Sequence, residues 1–234
     1  MSTSQDALKR AAAAKALDYV QDGMRLGLGT GSTADFFVEL LALRAKQGQK
    51  FLCAPTSERT AQKARALGLT LAPLEDLAPL DLTVDGADEA DRNLDLIKGG
   101  GGALLREKIV ASSSKRMIVI TDETKLVSRL GQFPLPVEVV EFGHGTTAAR
   151  LQRAAEQLGY PPLKMTLRAK DGVVFKTDSN NVIYDCAFGA ITNARKLADA
   201  FSAVTGVVEH GLFVGIATTL LIANPGEVEV IDKV

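Results

Sequence analysis

Residues 24–46 read MRLGLGTGSTADFFVELLALRAK, and a change of period inside them decides the fold class. Met24–Gly29 is short and apolar, as a buried strand should be. From Thr33 to Lys46 the pattern turns helical, with Phe36, Phe37, Leu40, Leu41 and Leu43 offering an apolar face. The glycine-bearing turn Gly29-Thr30-Gly31-Ser32-Thr33 joins the two. A strand running through such a turn into a helix is half of a βαβ unit, and the chain beyond it continues the alternation. Lys50–Ala54 (KFLCA) is a second strand, followed by the helical SERTAQKARALG of residues 57–68, whose Gly68 suits a helix stop. Thr70–Ala72, the strand Leu82–Val84, a helix after Gly102 and the apolar strand Met117–Thr121 (MIVIT) follow. The pattern predicts an α/β fold, a parallel sheet flanked by helices, with ligands outside the carboxyl ends of its strands.

Gln132–Pro136 (QFPLP) interrupts this order, since Pro134 and Pro136 rule out helix and suit a junction. Beyond it the pattern predicts strand Val137–Glu141, helix Thr146–Leu158 and strand Lys164–Leu167. A hairpin then pairs Val173–Lys176 with Asn181–Cys186 around the turn sequence TDSN. Helix Asn193–Val204 and strand Val207–His210 complete a βαββαβ-like order, typical of a small ferredoxin-like α+β domain. The alternating EVEVID of the tail is expected to return to the first sheet. The domains so drawn are 1–132 with 205–234, and 133–204.

Composition excludes several function classes. The 234 residues are 46% hydrophobic and 24% charged, with a net charge of −1, so the basic footprint of a nucleic-acid binder is missing. No apolar run reaches the roughly 18 residues that a bilayer span needs. The opening MSTSQDALKRAAAAKALDYV holds Asp6 and Asp18 and reads as an amphipathic helix, not a signal peptide. Cys53 and Cys186 lie far apart, outside any CxxC or Cys/His cluster. Small buried thiols in a reducing, cytoplasmic compartment are therefore expected, with neither a disulfide framework nor a zinc site.

Three motifs carry chemistry. In the first turn Gly29 and Gly31 allow tight bending, and the helix start behind them offers free amides to an anion, with hydroxyls of Thr30, Ser32 and Thr33 as further donors. A plain strand–helix turn capped by Ser32 or Thr33 would use the same residues. A dinucleotide site fits poorly: Ser32 stands where the fingerprint has Gly or Ala, and the second strand ends in Cys53-Ala54-Pro55-Thr56 without an acid for a ribose. No Gly-Lys-Ser/Thr closes a P-loop, so the phosphate of a small metabolite fits better. The second motif, VDGADE at 84–89, places Asp85 and Asp88 where they could hold sugar hydroxyls or shuttle protons, or stand as solvated loop acids. Carboxylates also suit Mg²⁺, but no dedicated ligand spacing supports a metal. The third, KGGGGALLREK at 98–108, sets Lys98 and bare backbone at the start of a helix, a cradle for a developing oxyanion. Glu107, about one turn in, can point back to its mouth or pair on the surface with a neighbouring base. His144 and His210 have no triad partners, and no G-x-S-x-G elbow is present.

GTGST, VDGADE and KGGGGALLREK, in this order, with FPLPVEV at 133–139 and HGLF at 210–213, resemble ribose-5-phosphate isomerase of the A type over essentially the whole chain. The resemblance implies a Rossmann-like domain with an inserted ferredoxin-like one. It implies interconversion of ribose 5-phosphate and ribulose 5-phosphate with no metal or organic cofactor, and a homodimer or tetramer as the assembly. By the same resemblance Glu107 is the base, with Asp85, Asp88 and Lys98 at the reacting end of the sugar. The turn Thr30, Gly31, Ser32, Thr33, the stretch Asp85, Gly86, Ala87, Asp88, the glycines Gly99, Gly100 and Gly101, and Lys125 would contact this small-molecule sugar phosphate, with Lys9 a further candidate for the phosphate. Rival readings are another sugar-phosphate enzyme on this scaffold, such as an amino-sugar phosphate isomerase or a lactonase, and a non-catalytic sugar-phosphate sensor.

Overall fold

A computed structural model describes residues 4–233. Seven strands form the larger sheet in the order Glu227–Asp232, Thr219–Asn224, Met117–Asp122, Leu82–Asp85, Arg25–Leu28, Leu52–Pro55, Thr70–Leu71. All neighbours run parallel except the first pair, an antiparallel hairpin at the edge. The alternation read from the sequence thus produces the expected α/β sheet, and the EVEVID tail supplies its outer strand. Two-residue periodicity sorts the side chains. Leu26, Leu28, Val84, Ile118 and Ile120 pack on one face with Ala12 and Ala16 of helix Ser4–Ala16 and Phe37 and Leu41 of helix Ser32–Lys46. Met117, Val119, Leu220 and Ile222 pack on the other face with Ala111 of helix Leu104–Ser112. Leu43, expected on the apolar face of its helix, is half exposed, because the helical period carries it beyond the stripe that Phe37 and Leu41 define. The expected amphipathic N-terminal helix is present from Ser4; Met1–Thr3 lie outside the described residues. No helix among the described residues is long and apolar enough to cross a membrane.

A second sheet has the order Val207–His210, Leu135–Val139, Val182–Ala187, Lys164–Leu167, with every neighbouring pair antiparallel. Helices His144–Gln157 and Ala194–Ser202 cover it with Leu151, Ala155, Leu197 and Phe201, which gives the ferredoxin-like arrangement. Two expectations are corrected here. Val207–His210 is hydrogen-bonded into this sheet, so a boundary at residue 204 cuts across it. The expected hairpin of Val173–Lys176 with Asn181–Cys186 does not form. Val182–Ala187 already has partners on both edges, and Val173–Val174 folds back on Ala169–Lys170 through Asp171 and Gly172, both at positive φ.

A small three-stranded sheet, Leu212–Phe213, Leu96–Ile97 and Glu89–Ala90, has no strong signal in the sequence, yet it arranges the site. It closes residues 85–98 into a loop whose ends are pinned by Asp88 N–H to Ile97 O (2.9 Å) and Lys98 N–H to Gly211 O (2.8 Å).

Candidate active site

The strand order reverses at Arg25–Leu28, which pairs with Leu52–Pro55 on one side and Leu82–Asp85 on the other. A crevice opens at such a switch point, beyond the carboxyl ends of the strands. A cavity of ≈ 160 Å³ lies there. Its wall combines the Thr30–Thr33 turn, Gly86, Ala87 and Asp88 from the second motif, Lys98, Gly99, Gly101 and Glu107 from the third, and Lys125 from the turn after Met117–Asp122. Lys9 and Gln5 of the first helix complete it. Gln5 went unnoticed in the sequence because a lone glutamine on a helix carries no motif.

At one end of the cavity the chemistry is acid–base. The Lys98 ammonium is buried, 3.0 Å from Asp85 Oδ2 and 3.2 Å from Glu107 Oε1, and it donates to Gly86 O at 2.6 Å. The approach to Asp85 is that of an ion pair, and its angle falls short of a hydrogen bond. Asp85 is sealed beneath the cavity and not in its wall, its Oδ1 accepting the amides of Thr30 (3.1 Å) and Gly86 (2.8 Å). Glu107 Oε2 has no hydrogen-bond partner. Burial, and then the charge of Asp85, push the Glu107 carboxyl up to about 8 against the opposing pull of Lys98. Burial also raises Asp85. Burial alone would lower the Lys98 ammonium, but Asp85 and Glu107 reverse this and its pKa moves upward. The surface-acid alternative for Glu107 is therefore wrong. Its neighbours Arg106 and Lys108 find partners elsewhere, in Glu58 and Glu209.

The glycines are explained by contact. A Cβ on Gly29 would lie 2.2 Å from Asp85 Oδ1, and one on Gly100 would lie 2.6 Å from Asp88 Oδ1. Gly99 and Gly102 hold positive φ, which L side chains rarely adopt. Not all of their amides face the cavity, however. Gly100 N–H is donated to Asp88 Oδ2 (2.7 Å) and Gly102 N–H to Gly99 O (2.9 Å), and Gly100 does not line the wall.

At the other end the chemistry suits an anion. Helix Ser32–Lys46 starts at Gly31 (φ 126°) with no side chain capping it, so neither Ser32 nor Thr33 is consumed as a cap. The first-turn amides of a helix lack intrahelical partners and carry the positive end of its dipole, and Lys9 and Lys125 stand beside them. Thr30 differs from expectation. Its hydroxyl turns away from the cavity into a cluster with Thr56 (2.7 Å), Ser57 (2.8 Å) and Thr60 (3.0 Å). Thr56 and Thr60 donate to Leu28 O and Gly29 O in turn, tying the turn to the exit of the second strand. Both histidines are paired outside the cavity: Nδ1 of His144 lies 2.7 Å from Tyr184 Oη, and Nε2 of His210 lies 3.1 Å from Ser202 Oγ. Among the described residues no group of three or more His, Cys, Asp or Glu side chains is arranged to hold a metal. Between Asp85 and Glu107 the space is taken by the Lys98 ammonium.

Residues 52–227 match the family model of ribose 5-phosphate isomerase A (phosphoriboisomerase A). The chain is 53% identical over 228 residues to ribose-5-phosphate isomerase A of Nitrobacter hamburgensis, covering 97% of this chain and 98% of that relative. The chain belongs to the ribose 5-phosphate isomerase A family. The Brucella suis member is 53% identical over 226 residues, 97% of each chain. Among solved structures, the fold superposes on ribose 5-phosphate isomerase from Plasmodium falciparum with a TM-score of 0.92 at 40% identity, covering 97% of this chain and 99% of that one. A D-ribose-5-phosphate isomerase solved in complex with phospho-erythronic acid matches with a TM-score of 0.90 at 33% identity, over 98% and 100% of the two chains. The family is one of aldose–ketose isomerases.

Proposed function

We propose that the chain interconverts D-ribose 5-phosphate and D-ribulose 5-phosphate through a cis-enediolate, with Glu107 as the base that carries the proton between the two carbons. The observation that carries this reading is the free, buried Glu107 Oε2 at the mouth of the glycine loop, its partner oxygen 3.2 Å from Lys98. Moving the carbonyl from C1 to C2 requires one proton to leave C2 and one to reach C1. A single carboxylate on one face of a planar intermediate can do both. Burial, which holds Glu107 near 8, makes it a stronger base than an exposed glutamate. The buried ammonium of Lys98 offsets the negative charge that develops on the two oxygens, at a depth where such charges interact strongly. Asp88, held by Gly100 N–H, faces the sugar hydroxyls. Asp85 acts through Lys98, which its carboxylate holds in place.

The phosphate is assigned to the Ser32–Thr33 helix start with Lys9 and Lys125. A relative is solved in complex with phospho-erythronic acid, a molecule with a phosphate at one end and a carboxyl group at the other, which suits a site with one anion-binding end and one acid–base end. A place in the non-oxidative pentose phosphate pathway follows from the substrate. The free, buried thiols of Cys53 and Cys186 favour a reducing, cytoplasmic location. A homodimer is the proposed assembly, and the two sheets are read as two domains.

Incubating the EDTA-treated protein with ribose 5-phosphate, an amino-sugar phosphate and a sugar-phosphate lactone separates the readings. Ketose should form from ribose 5-phosphate with no metal added. Turnover of either other substrate in its place would favour a different enzyme on this scaffold, and binding of ribose 5-phosphate without turnover would favour a sensor.

A further inference from the structure

We propose that Arg168 is a positioning residue for this reaction: from the second sheet it fixes the Gly99–Gly101 peptides beside the acid–base end of the cavity. The inference rests on the assignment of the acid–base end given above. Arg168 does not line the cavity. It follows strand Lys164–Leu167, and its backbone is tied on both sides, its N–H donating to Ile183 O (2.8 Å) and its carbonyl accepting Phe175 N–H (2.9 Å). The guanidinium forks onto Asp185 of strand Val182–Ala187, with Nε 2.9 Å from Oδ2. The remaining nitrogen, Nη1, donates to Gly99 O (2.8 Å) and Gly100 O (3.2 Å). One planar group therefore grips two successive carbonyls of the glycine loop.

Peptide geometry makes that grip consequential. In a trans peptide the carbonyl and the following N–H point in opposite directions. Turning Gly99 O and Gly100 O toward Arg168 therefore turns Gly100 N–H and Gly101 N–H toward the site. The first of these meets Asp88 Oδ2 at 2.7 Å, and the second belongs to a residue in the cavity wall. Glycines do not hold such an orientation themselves, because they adopt positive and negative φ with similar ease. Close approach to Asp88 demands glycine at position 100, so the constraint has to come from outside the loop. Phe175 adds a second stop, its ring so close to Gly102 that a Cβ there would meet Cε1 at 2.5 Å. The side chains of Arg168 and Asp185 are only 14% and 24% exposed, which limits competition from water.

Arg168→Lys tests the proposal, because an ammonium keeps the charge but cannot fork onto Asp185 and two carbonyls at once. Misplacement of supporting groups costs up to about 10²-fold in rate. The expected result is therefore a kcat lowered ~10–10²-fold with KM for ribose 5-phosphate little changed. Phospho-erythronic acid should bind more weakly by a similar factor, while inorganic phosphate, which reads only the far end, should bind as before. Wild-type kcat, a loss confined to KM, or equal weakening of both probes would overturn the proposal. Should Arg168→Lys fail to fold, Asp185→Asn, which leaves the guanidinium in place, is held to the same split between the two probes. Glu107→Gln measured alongside separates the two claims. If it loses turnover while Arg168→Lys keeps it, only the positioning role fails; if both keep it, the assignment of the site fails.

Discussion

Glu107 is a carboxylate held where its charged form is disfavoured, and two measurable consequences follow. A general base works deprotonated, so kcat/KM of the free enzyme should rise with pH through about 8. After burial, the Asp85 charge is the largest contribution holding Glu107 up. Asp85→Asn should therefore move that acidic limb to lower pH; a limb that stays in place would mean Asp85 does not set the basicity of Glu107. Stability carries the opposite sign. Because the folded-state pKa lies above the ordinary value of 4.5, the contribution of Glu107 to stability is fully present below 4.5 and is lost as pH rises through about 8. Glu107→Gln should then raise the melting temperature above pH 8 relative to wild type, with a smaller or absent gain at pH 5. An equal change at both pH values would mean that the carboxyl ionises normally.

At the level of elements, the strand–turn–helix units do the positioning. The carboxyl ends of Arg25–Leu28 and Leu82–Asp85 approach so closely that the first turn admits no side chain at Gly29, where a Cβ would sit 2.6 Å from Asp85 Cα as well as against its carboxylate. Gly29→Ala should cost about 1–3 kcal/mol or more in urea unfolding, since backbone has to move. Gly145→Ala, in a helix and with nothing within 4 Å, should instead stabilise by roughly 0.5–1 kcal/mol. Similar effects of the two would show that the approach at Gly29 is looser than described.

These same units were legible in the sequence because period and punctuation agree in them: MRLGLG then GTGST then an apolar helical face, and MIVIT as a buried strand. The hairpin is not legible because TDSN closes only a local turn, with Asn180 N–H to Thr177 O and Thr177 N–H to Asn181 O but no ladder beyond it, whereas the turn that joins paired strands is Asp171-Gly172. Thr56, Ser57 and Thr60, which anchor the turn at Thr30, and Arg168, which grips the glycine loop, give no sequence signal for another reason. Each acts on a segment distant in sequence, and no local spacing encodes that contact.

Over the whole molecule, the cavity needs both sheets. The larger supplies the Thr30–Thr33 turn, Asp85 and the switch-point crevice, and the helix bearing Glu107 packs against it. The second sheet holds the glycine loop through Arg168, and its strand end at Glu209 and His210 accepts Lys108, the residue next to Glu107, at 2.6 and 2.7 Å. Glu107 is thus fixed between two sheets, where the proposed role is proton transfer between C1 and C2. The most direct test follows ketose formation and carbon-bound deuterium together by NMR, with ribose 5-phosphate in D₂O, for the wild type, Glu107→Gln and Asp85→Asn. The account predicts that Glu107→Gln still binds substrate but loses ~10²–10⁴ in kcat, with exchange at C2 falling in parallel, while Asp85→Asn slows isomerisation and retains some exchange. Near-normal exchange in Glu107→Gln together with its abolition in Asp85→Asn would contradict the account and give the proton transfer to Asp85.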